Sequence, residues 1–74
     1  MELWLEDDPM NCGKLRPCPK VWGTDDPAEV LVQGRRPTRA QRDQLVLPDH
    51  DDVVTYPRQA LLDWAARQLA EQSG

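Results

Sequence analysis

The sequence predicts a small α+β domain, a three-stranded antiparallel sheet with a short helix and a longer C-terminal helix. Three observations lead to this class. "KVWG" (20–23) and "EVLVQG" (29–34) flank the turn signal "TDDPA", the pattern of a β-hairpin. "TRAQ" (38–41) has the Thr-x-x-Gln form of a capping box and marks a helix start. From Pro57 onward, Leu61, Leu62, Ala65, Ala66 and Leu69 fall on one face of a helix.

Taken in order, "ELWLE" (2–6) alternates acidic and apolar residues, which suits a short edge strand. The Pro- and Gly-containing "DDPMNCGKLRPCP" that follows reads as irregular loop, so residues 1–17 as a whole are expected to form an irregular acidic arm on a single domain spanning 1–74. In the hairpin, Pro27 supplies the fixed φ that the second position of a type I turn prefers. The helix after Thr38 must be short, because Pro48 lies close behind it and Val46 favours extended backbone. "DVVTY" (52–56) is expected to be the third strand of the sheet. Thr55 or Tyr56 then caps the last helix, with Pro57 in its first turn, where no N–H is needed. Asp63 and Arg67 stand four apart and are expected to pair along that helix.

With 74 residues the chain has room for one domain and a small core. There is no phenylalanine, so packing must rest on Leu, Val and the tryptophans Trp4, Trp22 and Trp64. No apolar run is long enough to span a membrane, and the acidic N-terminus does not resemble a signal peptide, so the expected location is cytoplasmic. A formal net charge of −4 disfavours non-specific binding to nucleic acid or anionic lipid.

That charge is unevenly spread. Arg35, Arg36, Arg39 and Arg42 give residues 35–46 a net charge of +3 between two acidic segments. The simplest expectation is a solvated or internally paired cluster, the arginines facing Asp49, Asp51 and Asp52 or Asp25 and Asp26. Contact with an acidic protein or with phosphate are the alternatives, since guanidiniums beside a helix start suit an anion. A DNA-recognition helix with a supporting helix is lacking, and no aromatic residue interleaves with the arginines, so nucleic acid is not the expected partner.

Cys12 and Cys18 have five residues between them, wider than the usual spacing within zinc sites, and His50 is the only other soft ligand. Free thiols are expected, with a disulfide or a metal as alternatives. His50 lies in "PDHDD", a solvated turn, and paired acids such as Asp51 and Asp52 read as loop residues. No residue stands out as catalytic, no metal or other cofactor is expected, and so small a domain leaves little room for a pocket.

"CPKVW", a turn, "VLVQGRR", a short helix ending in "LVLP", and "VVTYP" together resemble a family of small actinobacterial proteins encoded near helix-turn-helix regulators. The resemblance covers residues 18 to 60. It implies structural roles for Cys18, Gly34, Pro48 and Pro57, and brings no catalytic residue. The acidic N-terminal segment, Cys12 and the longer last helix depart from that pattern.

The functional expectation is therefore a non-enzymatic protein-interaction module, an accessory to a transcriptional regulator, binding a protein partner or a second copy of itself. The rival is a nucleic-acid or phosphate-binding module using the arginines at 35–42. The residues singled out for interaction are Trp64, Leu61 and Leu69 on the last helix and Arg35, Arg36, Arg39 and Arg42. Trp64 lies at the edge of the helix's apolar arc, where it serves either as a partner anchor or as the seat for the N-terminal "LWL" segment.

Overall fold

The computed structural model describes residues 2–13 and 16–73. Its elements run β1 (Leu3–Asp7), β2 (Lys20–Thr24), β3 (Val30–Gln33), α1 (Arg39–Asp43) and α2 (Arg58–Ser73). The α+β class holds: a three-stranded antiparallel sheet in the order β1-β2-β3, a short helix and a C-terminal helix.

The composition of the sheet differs from the expectation. Its third member is β1, the edge strand that "ELWLE" suits and thus not part of an irregular arm over 1–17, and not the "DVVTY" stretch. Leu5 pairs with Trp22 and Trp4 with Gly23, so this apolar N-terminal segment covers one edge of β2. Residues 52–56 reach the sheet region only through an isolated bridge between Arg35 and Thr55. The two N–H···O=C bonds of that bridge measure 3.1 and 2.6 Å, and the backbone there is held close because residue 34 is glycine. A Cβ on Gly34 would overlap the Thr55 carbonyl.

The hairpin between β2 and β3 forms as the turn signal predicts. The Asp26 carboxylate accepts from the Ala28 N–H at 2.9 Å, its carbonyl accepts from the Glu29 N–H at 3.1 Å, and the Asp26 N–H donates to the Thr24 hydroxyl at 3.1 Å. The register Val21↔Val32 and Trp22↔Leu31 then follows from the turn. A bulge between Leu5 and Asp7 adds an unpaired residue to β1 and shifts its alternation.

Thr38 caps α1 as expected. Its hydroxyl accepts from the Gln41 N–H at 3.2 Å, and the Gln41 side chain accepts from the Thr38 N–H at 2.9 Å. The helix is one short turn with no buried residue. For α2 the Pro57 carbonyl accepts the first helical bond, from the Leu61 N–H at 3.1 Å.

Cys12 and Cys18 are joined in a disulfide with a Cα–Cα distance of 6.3 Å, which corrects the expectation of free thiols. The loop geometry accounts for the closure. Asp8 accepts from the N–H groups of Asn11 (2.9 Å) and Gly13 (2.8 Å), and Asn11 and Gly13 both take positive φ, turning the chain back on itself. The return of this loop also buries Lys20 completely. Its ammonium donates to the carbonyls of Arg16 at 2.6 Å and Cys18 at 3.3 Å. Gln33 ties the same loop to β3, its amide donating to the Cys18 carbonyl at 3.0 Å and its carbonyl accepting from the Trp22 indole at 3.0 Å.

Val21, at the centre of the sheet, is the apolar side chain that is wholly buried among the described residues. The molecule is extended for its size. Its radius of gyration is 13.9 Å, where a compact domain of this length has about 11 Å. Among the described residues no helix is long and apolar enough to cross a membrane.

Candidate interaction surface

Two apolar surfaces remain uncovered, and the strand and helix periodicities explain both. Strand residues alternate between the faces of a sheet, so Trp4, Gly23, Val21, Val30 and Val32 share one face by register. Leu3, Leu5, Trp22 and Leu31 share the other. α2 lies on the Trp4 side, where Trp4, Glu6 and Val30 join Trp64, Gln68 and Gln72 around a cleft of about 340 Å³. The opposite face has its loop cover only at the Lys20 end, and Leu3 (47 %) and Leu31 (48 %) stay open to solvent. β3 is an edge strand, with Val30, Leu31 and Val32 all exposed.

The second surface is α2 itself. The sequence places Leu61, Leu62, Ala65, Ala66 and Leu69 on one face, and a two-layer fold would turn that face to the sheet. It does not: Leu61, Leu62 and Leu69 are 42 %, 56 % and 65 % exposed. The side turned inward carries the half-buried Ala60, Trp64 and Gln68, together with Arg67, and Ala65 of the expected arc is half-buried at its margin. Arg67 donates to the Asp7 carboxylate at 2.5 Å, and this ion pair fixes which side of the helix faces β1. The expected Asp63–Arg67 pair is therefore absent, and Asp63 accepts instead from the Gln59 amide at 2.9 Å. Tyr56 lies beside the same contact. Its hydroxyl is buried without a hydrogen-bond partner, and burial, reinforced by the Asp7 charge, raises its pKa above the ordinary value.

The residues singled out on α2 thus separate. Trp64 is half-buried on the inner side, its indole N–H shielded and unpaired, in the cleft it shares with Trp4. Leu61 and Leu69 lie on the outer side. Leu62, part of the expected arc but not singled out, completes the outer stripe. Leu3 and Leu31 could have been found from the strand alternation, had the edge strand at 2–6 been placed beside β2.

The arginines separate as well. Arg42 donates to the Asp52 carboxylate at 2.6 Å, and that hydrogen bond, followed by one from the Val53 N–H, lowers the Asp52 pKa. Asp52 belongs to the acidic turn expected to face the cluster. Arg35, Arg36 and Arg39 are exposed and make no ion pair with a carboxylate among the described residues. Arg36 and Arg42 line an open groove of about 490 Å³ together with Asp52.

Pockets are larger than the chain length suggested. An apolar cleft of about 530 Å³ opens between Pro17, Pro19 and Gln33 on one side and Tyr56 and Pro57 on the other, with Arg35. No three His, Cys, Asp or Glu side chains converge in a metal-holding group among the described residues. No protein-family model matches the chain, and no curated protein or solved structure matches it.

Proposed function

We propose that the chain is a non-enzymatic protein-interaction module that acts as an accessory to a transcriptional regulator. One observation carries this reading: more surface than a compact monomer exposes, with apolar side chains open on both the sheet and α2. The chain exposes 6298 Å², whereas a compact monomer of its mass exposes about 4,700 Å². The difference, about 1,600 Å², is twice what each partner commonly buries in a stable interface. Leu3, Val30, Leu31 and Val32 on the sheet and Leu61, Leu62 and Leu69 on α2 are among the side chains left open. Apolar side chains left open in groups on the sheet and on α2 favour contact with protein.

The regulator enters through the resemblance over residues 18 to 60, and the open face around Leu3 and Leu31 is the surface assigned to it. The cytoplasmic setting follows from that assignment. Reducing conditions there would hold Cys12 and Cys18 as thiols until an oxidant closes the bridge. A second reading, phosphate binding, is favoured by Arg35, Arg36 and Arg39, which lack carboxylate partners among the described residues.

Calorimetric titration of the chain against a helix-turn-helix regulator of the kind the resemblance implies, at low and moderate salt, separates the two. The interaction reading expects binding that changes little with salt and is lost in Leu31→Glu. Binding of duplex or single-stranded nucleic acid that weakens steeply with salt and is lost in Arg35→Ala/Arg36→Ala/Arg39→Ala would overturn it in favour of the phosphate reading.

A further inference from the structure

We propose that the outer face of α2 is a homodimer surface: the leucine stripe docks antiparallel on the same stripe of a second copy of this chain. The proposal rests on the interaction-module reading and names one partner within it, on a different surface from the one assigned to the regulator.

Three features select a second copy as the occupant. The first is self-complementarity. In "LLDWAARQLA" (61–70), a two-fold axis passing between Ala65 and Ala66 sets Leu62 opposite Leu69 of the second copy and brings Ala65 and Ala66, one on each side of the stripe, to the crossing. Leucine meets leucine, and the alanines at the crossing let the helix axes approach to about 8 Å. An isologous contact needs a patch that complements itself under such an axis.

The second feature is charge. α2 has no acidic residue in its first turn and no basic residue in its last, so neither end is compensated for the helix dipole. Projected at about 100° per residue, Arg58 falls between Leu61 and Leu62, on the line of the stripe at its N-terminal end. Antiparallel docking carries that guanidinium to the last turn of the second copy's helix, where free carbonyls and the negative end of the dipole attract it. Parallel docking would set Arg58 beside Arg58.

Area is the third. The chain exposes about 1,600 Å² more than a compact monomer of its mass, and since open apolar side chains lie on the sheet as well as on α2, covering the stripe leaves the sheet face for a different protein. The ion pair between Arg67 and Asp7 holds the inner side of α2 to the sheet, so the stripe is presented without rearrangement.

Sedimentation equilibrium of the full chain over a micromolar concentration series tests the proposal, and the wild-type result is decisive without any variant. The expected mass is that of two chains. Leu62→Glu and Leu69→Lys should each weaken association by on the order of a hundredfold, because each buries an unpaired charge. Combining Leu62→Glu with Leu69→Lys in one chain should restore association, since each glutamate then faces a lysine of the other copy. A wild type that sediments as one chain throughout overturns the proposal, as does a double variant weaker than either single, which would indicate parallel or unrelated packing. Regulator binding lost in Leu31→Glu, in a chain that sediments as a monomer, would remove the dimer and leave the interaction-module reading standing.

Discussion

The two sides of α2 invert the usual relation between hydrophobicity and burial. The inner side carries one tryptophan, an alanine, a glutamine and an arginine paired to Asp7. The outer side carries Leu61, Leu62 and Leu69, all exposed. Folding of one chain is thus served by the less apolar side, through one large aromatic ring and one ion pair. The leucines contribute little to it. Apolar periodicity in a helix shows that a face will be covered, but not that the same chain will cover it.

The strongest challenge to this contrast is to exchange the importance of the two sides. Trp64→Ala should destabilise the fold by about 3 kcal/mol, because it removes the one large ring on the inner side of α2, at the cleft shared with Trp4, whereas Leu69→Ala should cost the monomer less than about 0.5 kcal/mol. Chemical denaturation of both variants under dilute conditions gives the comparison. Equal losses would mean that both sides serve folding. Trp64→Phe sharpens the test, since it keeps an aromatic ring and removes an indole N–H that is buried and unpaired. Its cost should be well below that of alanine.

Reduction of the Cys12–Cys18 bridge is the next largest effect. Freeing so short a loop should remove about 2 kcal/mol by chain entropy. The loss should appear in the sheet, because the same loop supplies the carbonyls that hold Lys20. Amide exchange should speed up in β2 on reduction and leave α2 nearly unchanged. Faster exchange along α2 would show that the two halves of the chain fold as one unit.

Arg67→Ala should cost about 1 kcal/mol, leaving the Asp7 carboxylate, largely shielded, without its partner. It should also raise the Tyr56 pKa further, since Arg67 is the group that opposes the rise. The sign of the pH dependence follows. The Tyr56 proton is held more tightly in the folded state than in the unfolded one, so its contribution is complete below the ordinary tyrosine range and is lost as pH rises through the folded value. An alkaline melting series in which Tyr56→Phe abolishes part of the decline checks this.

The smallest effect is local to the arginine cluster. Asp52 titrates below its ordinary value because Arg42 hydrogen-bonds to it, so its contribution is present above that ordinary value and lost as pH falls through the lowered one. In Arg42→Ala the Asp52 carboxyl should return toward ordinary titration when followed by NMR, with no change at α2. An unshifted Asp52 would remove the internal-pairing account of Arg42.

What was legible in the sequence follows the range of the interactions. The hairpin and the α1 cap are set by contacts among neighbours, Asp26 with Ala28 and Glu29 and Thr38 with Gln41, and both appear as expected. Contacts between distant residues were read less well. "LWL" pairs with β2 in place of "DVVTY" because Leu5 meets Trp22 across the edge, a choice that depends on which segment arrives there. Arg67 reaches Asp7, 60 positions away, in preference to Asp63 one turn away. Lys20 could not be foreseen as buried, because carbonyls of the disulfide loop, not a carboxylate, receive its charge. Within the candidate site, the stripe was legible as a face of a helix, but its direction was not, since that depends on the Asp7–Arg67 contact.

The orientation of α2 is the central claim, and one measurement bears on it most directly. Leu62→Glu/Leu69→Glu places two charges on the outer stripe, and its near-ultraviolet tryptophan signal and thermal transition can be compared with those of the wild type under dilute conditions. Retention of the tryptophan signal with a cooperative transition is the predicted result, because Trp64 and Trp4 line a cleft on the other side of the helix. Loss of the tryptophan signal together with the transition would place the leucines in the core and contradict the account.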